Sequence, residues 1–186
     1  MLDFLNLQPE AFGLDVSTLS LKIAKLKKRG KGLSLVSFGE GDVSPGAIKE
    51  GDITDPEELA KNIKKSLGSV KGEKLKTNYV VASLPEKKAF FEVIQMPKLP
   101  KEDLRSAVIY EAENYIPMPI ESMYLDFQVI SPIRSQNHLD HLDVLVGAVP
   151  KDTVDPYLNC LKQAGLEPLA LEVESLAMVL LGPAVL

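Results

Sequence analysis

The stretch FGLDVSTLSLKIAKL, Phe12 to Leu26, decides the fold. It has the form of a β-hairpin whose turn is polar, with Asp15, Ser17, Thr18 and Ser20 crowded into it. Apolar residues flank that turn on both sides, so Phe12 to Asp15 and Ser20 to Lys28 read as well-buried strands with the turn exposed at their ends. Two readings of the turn stand side by side. One is a plain Asx-type turn. The other is a phosphate cradle, in which consecutive backbone N–H groups and short hydroxyls close around an anion while a carboxylate holds Mg²⁺ through water.

Outward from the hairpin, Leu33 to Phe38 follows the basic, Gly-containing turn Lys28 to Gly32 and predicts a third strand, making an antiparallel meander. Gly39 to Ile53, with Pro45, Gly46 and Gly51, reads as loop by composition. Asp55-Pro56-Glu57-Glu58 then supplies an N-cap, a first-turn proline and a capping-box glutamate ahead of Leu59, Ile63 and Leu67, so a helix is expected to run to Gly68. Its lysines, Lys61, Lys64 and Lys65, form a solvated face near the C-terminal end, where the macrodipole favours them. Thr77 to Leu84 is a short β-branched strand closed by Pro85.

A second unit begins there. Ala89 to Met96 is a strand, and Met96-Pro97-Lys98-Leu99-Pro100 is a stiff connector into a helix over about Lys101 to Tyr115. Leu104, Val108, Ala112 and Tyr115 form its apolar stripe, and Glu111 falls inside that stripe. Either this carboxylate snorkels past the edge or bonds a backbone N–H, or it serves a binding groove. Pro117 and Pro119 end the helix. Tyr124 to Ile130 alternates as a half-buried strand with Leu125, Phe127 and Val129 inward, and Leu142 to Val149 is its neighbour across the polar segment Ser131 to His141. A helix over Lys151 to Ala164 turns Val154, Tyr157, Leu158 and Leu161 inward and stops at Gly165. Leu169 to Val173 is a last strand, and Glu174 opens another helix, with Ser175 in its first turn. The order strand, helix, strand, strand, helix from 85 to 167 makes a compact α+β unit inserted into the first domain.

Composition excludes several functions. The 186 residues are long enough to bury a core, 45% are hydrophobic and 25% charged, and the net charge of −5 comes without a basic block, which argues against a nucleic-acid partner. Cys160 is alone, so an internal disulfide or cysteine-based zinc site is excluded and a reducing compartment, the cytoplasm, is the natural setting. It reads as a small buried hydrophobe. No run is long and apolar enough for a transmembrane helix, and Met1 to Ala11 is too short and acidic for a signal peptide. His138 and His141 with Asp140 lack a third strong ligand, so no metal site is expected.

The motifs carry a resemblance. Asp15-Val16-Ser17-Thr18-Leu19-Ser20 with Lys22 is similar to the first phosphate loop of the actin-like ATPases, except that Ser17 stands where that family carries glycine, a departure that counts against tight nucleotide binding. Phe12-Gly13-Leu14-Asp15, Gln95-Met96-Pro97-Lys98, the long block Tyr110-Glu111-Ala112-Glu113-Asn114-Tyr115-Ile116-Pro117-Met118-Pro119-Ile120-Glu121, Tyr124 to Val129 and Ala164 to Ser175 together resemble the type IV pilus assembly proteins of the PilM family, actin-like relatives of the division protein FtsA, over about residues 10 to 181.

The resemblance implies an α/β fold: an actin-like (ribonuclease H-like) subdomain 1A over residues 1–84 and 168–186, with an inserted α+β subdomain 1C (SHS2-like) over 85–167. The full-length family binds ATP and Mg²⁺, and the resemblance gives this chain half of that site, Asp15, Ser17, Thr18, Ser20 and Lys22. The family's second actin-like lobe is missing, so the chain reads as a fragment or truncated frame that cannot enclose the nucleotide and is expected to bind none at useful affinity. No catalytic residue comes with the resemblance. It implies instead a cytoplasmic scaffold peripheral to the inner membrane, whose groove between 1A and 1C, with Glu111, Tyr115 and Pro117 assigned to it, takes the N-terminal cytoplasmic peptide of a PilN-like protein among other pilus assembly platform proteins. An FtsA-like membrane tether and an actin-like-fold phosphotransferase are the alternatives, lacking respectively an amphipathic membrane helix and a catalytic base. Leu5-Asn6-Leu7-Gln8-Pro9 is similar to the Leu/Ile-Asn-Leu-Leu-Pro type of PilN peptide. The arm Met1 to Pro9 is therefore expected either to lie on the nearest surface or to occupy the groove of its own or a neighbouring molecule, giving a homo-oligomer.

Overall fold

In the computed structural model, which describes residues 9–30, 32–130 and 141–173, the opening hairpin forms as its alternation dictates. β1 (Phe12–Val16) buries Phe12, Leu14 and Val16, and β2 (Ser20–Arg29) buries Leu21, Ile23 and Lys25. The two strands pair antiparallel with Asp15 opposite Lys22. β3 (Gly32–Asp42) completes the meander, but it runs farther than composition suggested. Gly39 and Gly41 made that stretch read as loop, yet Lys22 pairs with Glu40 and Ser20 with Asp42. The glycines serve a close approach: a Cβ on Gly41 would stand 1.9 Å from Ser66 Oγ and 2.8 Å from Ser66 Cβ. The rest of the expected loop holds a minimal hairpin, β4 (Ile48–Lys49) and β5 (Asp52–Ile53), turned at Glu50 and Gly51 with φ of 54° and 91°.

Helix α1 (Pro56–Gly68) starts as predicted, with Asp55 Oδ1 accepting from the Glu58 N–H at 3.0 Å. It buries Leu59, Ala60, Ile63 and Ser66, while Lys61, Lys64 and Lys65 stay exposed. Two short pieces follow, β6 (Lys71–Gly72) on the far edge of β3 and β7 (Tyr79–Leu84) parallel to β1. A parallel partner for β1 needs a crossover, and α1 supplies it.

The next elements form a unit of their own, Lys88–Val154. β8 (Phe90–Pro97), α2 (Lys101–Ala112), β9 (Met123–Ile130) and β10 (His141–Pro150) give an antiparallel sheet in the order β8-β10-β9, with α2 packed on it. Its core joins Ile94 and Met96 of β8, Val108 and Ala112 of α2, and Val144, Val146 and Ala148 of β10. Helix α2 is a turn shorter than its stripe implied. Ile116 precedes Pro117, whose ring disfavours helical geometry there, and the chain leaves the helix so that Ile116 is buried while Tyr115 is 52% exposed. On β9, Leu125 and Phe127 turn partly inward as expected, but Val129 near the end of the strand is 41% exposed.

Helix α3 (Lys151–Gln163) and β11 (Glu167–Val173) return the chain to the large sheet, whose order is β11-β7-β1-β2-β3-β6. The contacts divide the chain after Lys87 and again after Val154, so most of α3 belongs with the large sheet, whereas the pattern of elements put it in the insertion. The reason is visible in its bonds. Tyr157 donates its hydroxyl to the Gly51 carbonyl at 3.2 Å, and Cys160 Sγ lies 3.5 Å from the Pro56 carbonyl. The N-terminal arm (residues 1–8), the segment 131–140 and the expected helix from Glu174, Ser175 included, lie outside the described residues. Among the described residues no helix is long and apolar enough to cross a membrane.

Burial pushes the Cys160 thiol up from 9.0 to about 11 and the Tyr157 phenol up from 10.0 to about 12. Both groups favour the fold in their neutral form. Their contribution is complete below the unfolded values and is lost as pH rises through about 9 to 12, so alkaline pH is expected to lower the urea midpoint steadily over that window. At neutral pH native Cys160, 1% exposed, should react with a disulfide reagent about 100-fold more slowly than the unfolded thiol. Equal rates in native and urea-unfolded protein would contradict this burial.

Candidate functional site

The hairpin turn between β1 and β2 brings its polar residues together in two groups. Ser17 and Ser20 close on each other: the Ser17 N–H donates to Ser20 O at 3.0 Å, its hydroxyl donates to the same carbonyl at 3.1 Å, and the two hydroxyls lie 3.0 Å apart. Thr18 and Leu19 are exposed at the tip, and Leu19 O accepts from the Val43 N–H at 3.0 Å. Asp15 and Lys22 belong to the other group, opposite each other on the face of the sheet away from Phe12, Leu14 and Val16.

Ser83 on β7 completes that second group. Its hydroxyl accepts from the Val16 N–H at 2.9 Å and donates to Asp15 Oδ1 at 2.7 Å. Strand register extends the row, with Glu172 of β11 opposite Ser83 and Glu40 of β3 opposite Lys22. A band of polar side chains therefore crosses the sheet at the level of the turn. Nothing in the sequence marked Ser83, because only the parallel pairing of β7 with β1 carries it to Asp15.

These bonds bear on what the turn could offer a phosphate. A cradle needs N–H groups and hydroxyls pointing outward. Here the Ser17 donors are turned inward onto Ser20, one oxygen of Asp15 is held by Ser83, and Lys22 is the exposed cation beside it. The Ser17 donors are thus spent within the turn and Asp15 is tied to the neighbouring strand, so an anion at the tip would meet the exposed Thr18 and Lys22 but not the Ser17 N–H or hydroxyl.

The residues assigned to a partner groove are distributed differently. Tyr115 and Ile116 lie where the chain leaves α2, and with Ala112 they face Phe90, Phe91 and Ile94 of β8 and Val146 of β10 across a cleft of about 90 Å³. That is room for about three waters at roughly 30 Å³ each, or for one branched aliphatic side chain. Glu111 is half-buried on the core-facing side of α2 and does not line the cleft, and Pro117 is exposed beyond it. The aromatic pair Phe90-Phe91 opens β8 and was read only as strand. Its place in the cleft comes from the register that sets β8 beside β10, with Ile94 opposite Val144 and Glu92 opposite Val146.

His141 places Nε2 3.6 Å from Asp143 Oδ1, while His138 and Asp140 lie outside the described residues. Among the described residues no three His, Cys, Asp or Glu side chains converge on a common point.

With this geometry in view, the chain matches the family described as Type IV pilus assembly protein PilM over residues 13–181. A solved structure, the PilM-PilN type IV pilus biogenesis complex, superimposes with a TM-score of 0.79 at 32% identity, covering 92% of this chain and 49% of that one. The cytoplasmic domain of EpsL, an inner membrane component of the type II secretion system of Vibrio cholerae, matches in fold, with a TM-score of 0.52 at 16% identity over 88% of this chain and 57% of that one. The chain thus spans about half the length of the PilM chain it matches, and both likenesses agree with a mixed α/β fold built on a central sheet.

Proposed function

The chain belongs to the type IV pilus assembly protein PilM family, and from that premise we propose that it is a non-catalytic scaffold of the pilus assembly platform that binds the N-terminal cytoplasmic peptide of a PilN-like membrane protein. The observation that carries this reading is the likeness to a chain solved in complex with PilN. The Tyr115 cleft supports it. An apolar hollow beside an exposed aromatic ring is the kind of site that takes one anchoring side chain of an extended peptide. The reading places the protein in the cytoplasm, held at the inner membrane through its partner. The Ser17–Ser20 turn supports the non-catalytic part, since the Ser17 N–H and hydroxyl are both spent on the Ser20 carbonyl. On this reading the chain alone does not bind Mg·ATP at useful affinity.

A labelled N-terminal PilN peptide is expected to bind with a dissociation constant of about 1 to 10 μM, worth roughly 7 to 8 kcal/mol. Tyr115→Ala should weaken it about tenfold by removing one wall of the cleft. Glu111→Gln should weaken it less, with an unchanged melting temperature, because the half-exposed carboxylate is next to Ala112 but does not itself line the cleft. A peptide that fails to bind, or one bound equally by wild type and Tyr115→Ala, would remove the cleft from the function. Sustained phosphate release from ATP would remove the word scaffold.

A further inference from the structure

Beyond the partner reading, and independent of it, the end of the β2–β3 hairpin carries chemistry that no peptide cleft explains. β1 pairs with β2 only from Leu21 to Ala24, and β6 meets β3 only at Ser37 and Phe38. From Leu26 to Leu35 the hairpin therefore has no strand on either side among the described residues. Its pairs Leu26↔Leu35 and Lys28↔Leu33 share one face, continued by Phe38 opposite Ala24. Leu26, Leu33, Leu35 and Phe38 are 51%, 62%, 56% and 50% exposed. A strip of this kind on a soluble surface marks a contact.

The cations gather at the same end. Lys28 stands among the leucines, and Lys27 and Arg29 lie on the other face, where they share Glu73. Lys74 and Lys76 join Lys27 around a cleft of about 280 Å³ beneath the hairpin, with the buried Lys25 held by Glu10 at 2.7 Å. This end is thus strongly positive in a chain whose net charge is −5, so the field of the whole molecule turns it toward an anionic surface. A two-stranded ribbon is thin. Charges on its far face stay within about one Debye length, roughly 8 Å, of anything lying on its apolar face.

We propose that the hairpin end, with Leu26, Leu33 and Leu35 as the apolar contact and Lys27, Lys28, Arg29, Lys74 and Lys76 as the electrostatic one, docks on the anionic phospholipid surface of a membrane. Apolar insertion and cationic attraction are the two signals that reversible membrane binding needs together. The occupant is assigned by charge complementarity.

The protein has no tryptophan, so Leu33→Trp introduces a single reporter. With phosphatidylcholine vesicles containing about 30 mol% phosphatidylglycerol its emission should shift to the blue, and with pure phosphatidylcholine it should not. Lys28→Gln and Lys76→Gln should each lower vesicle co-sedimentation about fivefold at low salt. Leu169→Trp, on the 47% exposed position of β11 at the other edge of the sheet, should not shift. A shift at Leu169, or none at Leu33, overturns the assignment. So does loss of vesicle binding to inorganic phosphate at constant ionic strength, which would mark a discrete anion site. Emission from Leu33→Trp already blue before lipid is added, and reddening on dilution, would mean that a second copy covers the leucines, and would likewise overturn it.

Discussion

Gly41→Ala is expected to destabilise the protein by about 2 to 3 kcal/mol, although it adds a single methyl to a strand. The added Cβ would stand 1.9 Å from Ser66 Oγ and 2.8 Å from Ser66 Cβ. Rotating the hydroxyl relieves the first clash and breaks its bond to the Asn62 carbonyl, at 2.9 Å, but leaves the second. Helix α1 must then move off β3, and Leu59 and Ile63, each 1% exposed, lose contact with the sheet. The direct test is repair. Ser66→Gly in the Gly41→Ala background removes both opposing atoms at a cost of about 1 kcal/mol of helix propensity, so the double variant should be more stable than Gly41→Ala alone in urea titrations. Additive losses would show that α1 and β3 do not meet at these residues.

The same contact explains where the sequence was legible and where it was not. Alternation in Phe12, Leu14, Val16, Leu21 and Ile23 is a local signal, and it predicted the opening hairpin. Capping chemistry is local too, and Asp55, Pro56 and Glu58 placed the start of α1. Gly39 and Gly41 sent a misleading local signal, because a glycine required by a neighbouring helix has the same letter as one required by a turn. The end of α2 failed for a related reason. Projecting a stripe to Tyr115 assumes that the helix continues, whereas the restriction that Pro117 places on Ile116 ends it first. The return point of the chain was misjudged because Tyr157 and Cys160 find partners at Gly51 and Pro56, about a hundred positions earlier in the sequence. Of the two candidate sites, the turn residues were legible as a group, and the YEAENYIPMPIE block pointed to the neighbourhood of the Tyr115 cleft. The other walls of that cleft come from strands that meet only through register.

Ser83→Ala should cost about 2 to 3 kcal/mol, and its outcome separates two roles for Asp15. The Ser83 hydroxyl links β7 to β1 twice, accepting from the Val16 N–H and donating to Asp15 Oδ1. Alanine leaves a part-buried backbone N–H without its acceptor and a carboxylate without its donor, and the penalty for such orphaned groups exceeds the net value of the bonds themselves. Ser83→Thr keeps the hydroxyl on a residue well suited to a strand, and its urea midpoint should stay near that of the parent. If Asp15 is a lock within the sheet, Asp15→Ala and Ser83→Ala remove one shared network, and their combined loss should fall short of the sum by about 1 kcal/mol. If Asp15 instead acts outward on a ligand, its replacement should barely change stability, the two losses should add, and the defect should appear in binding. The bond from Ser83 favours the first outcome: a carboxylate already accepting a hydroxyl at 2.7 Å from the adjacent strand has one oxygen committed to the fold.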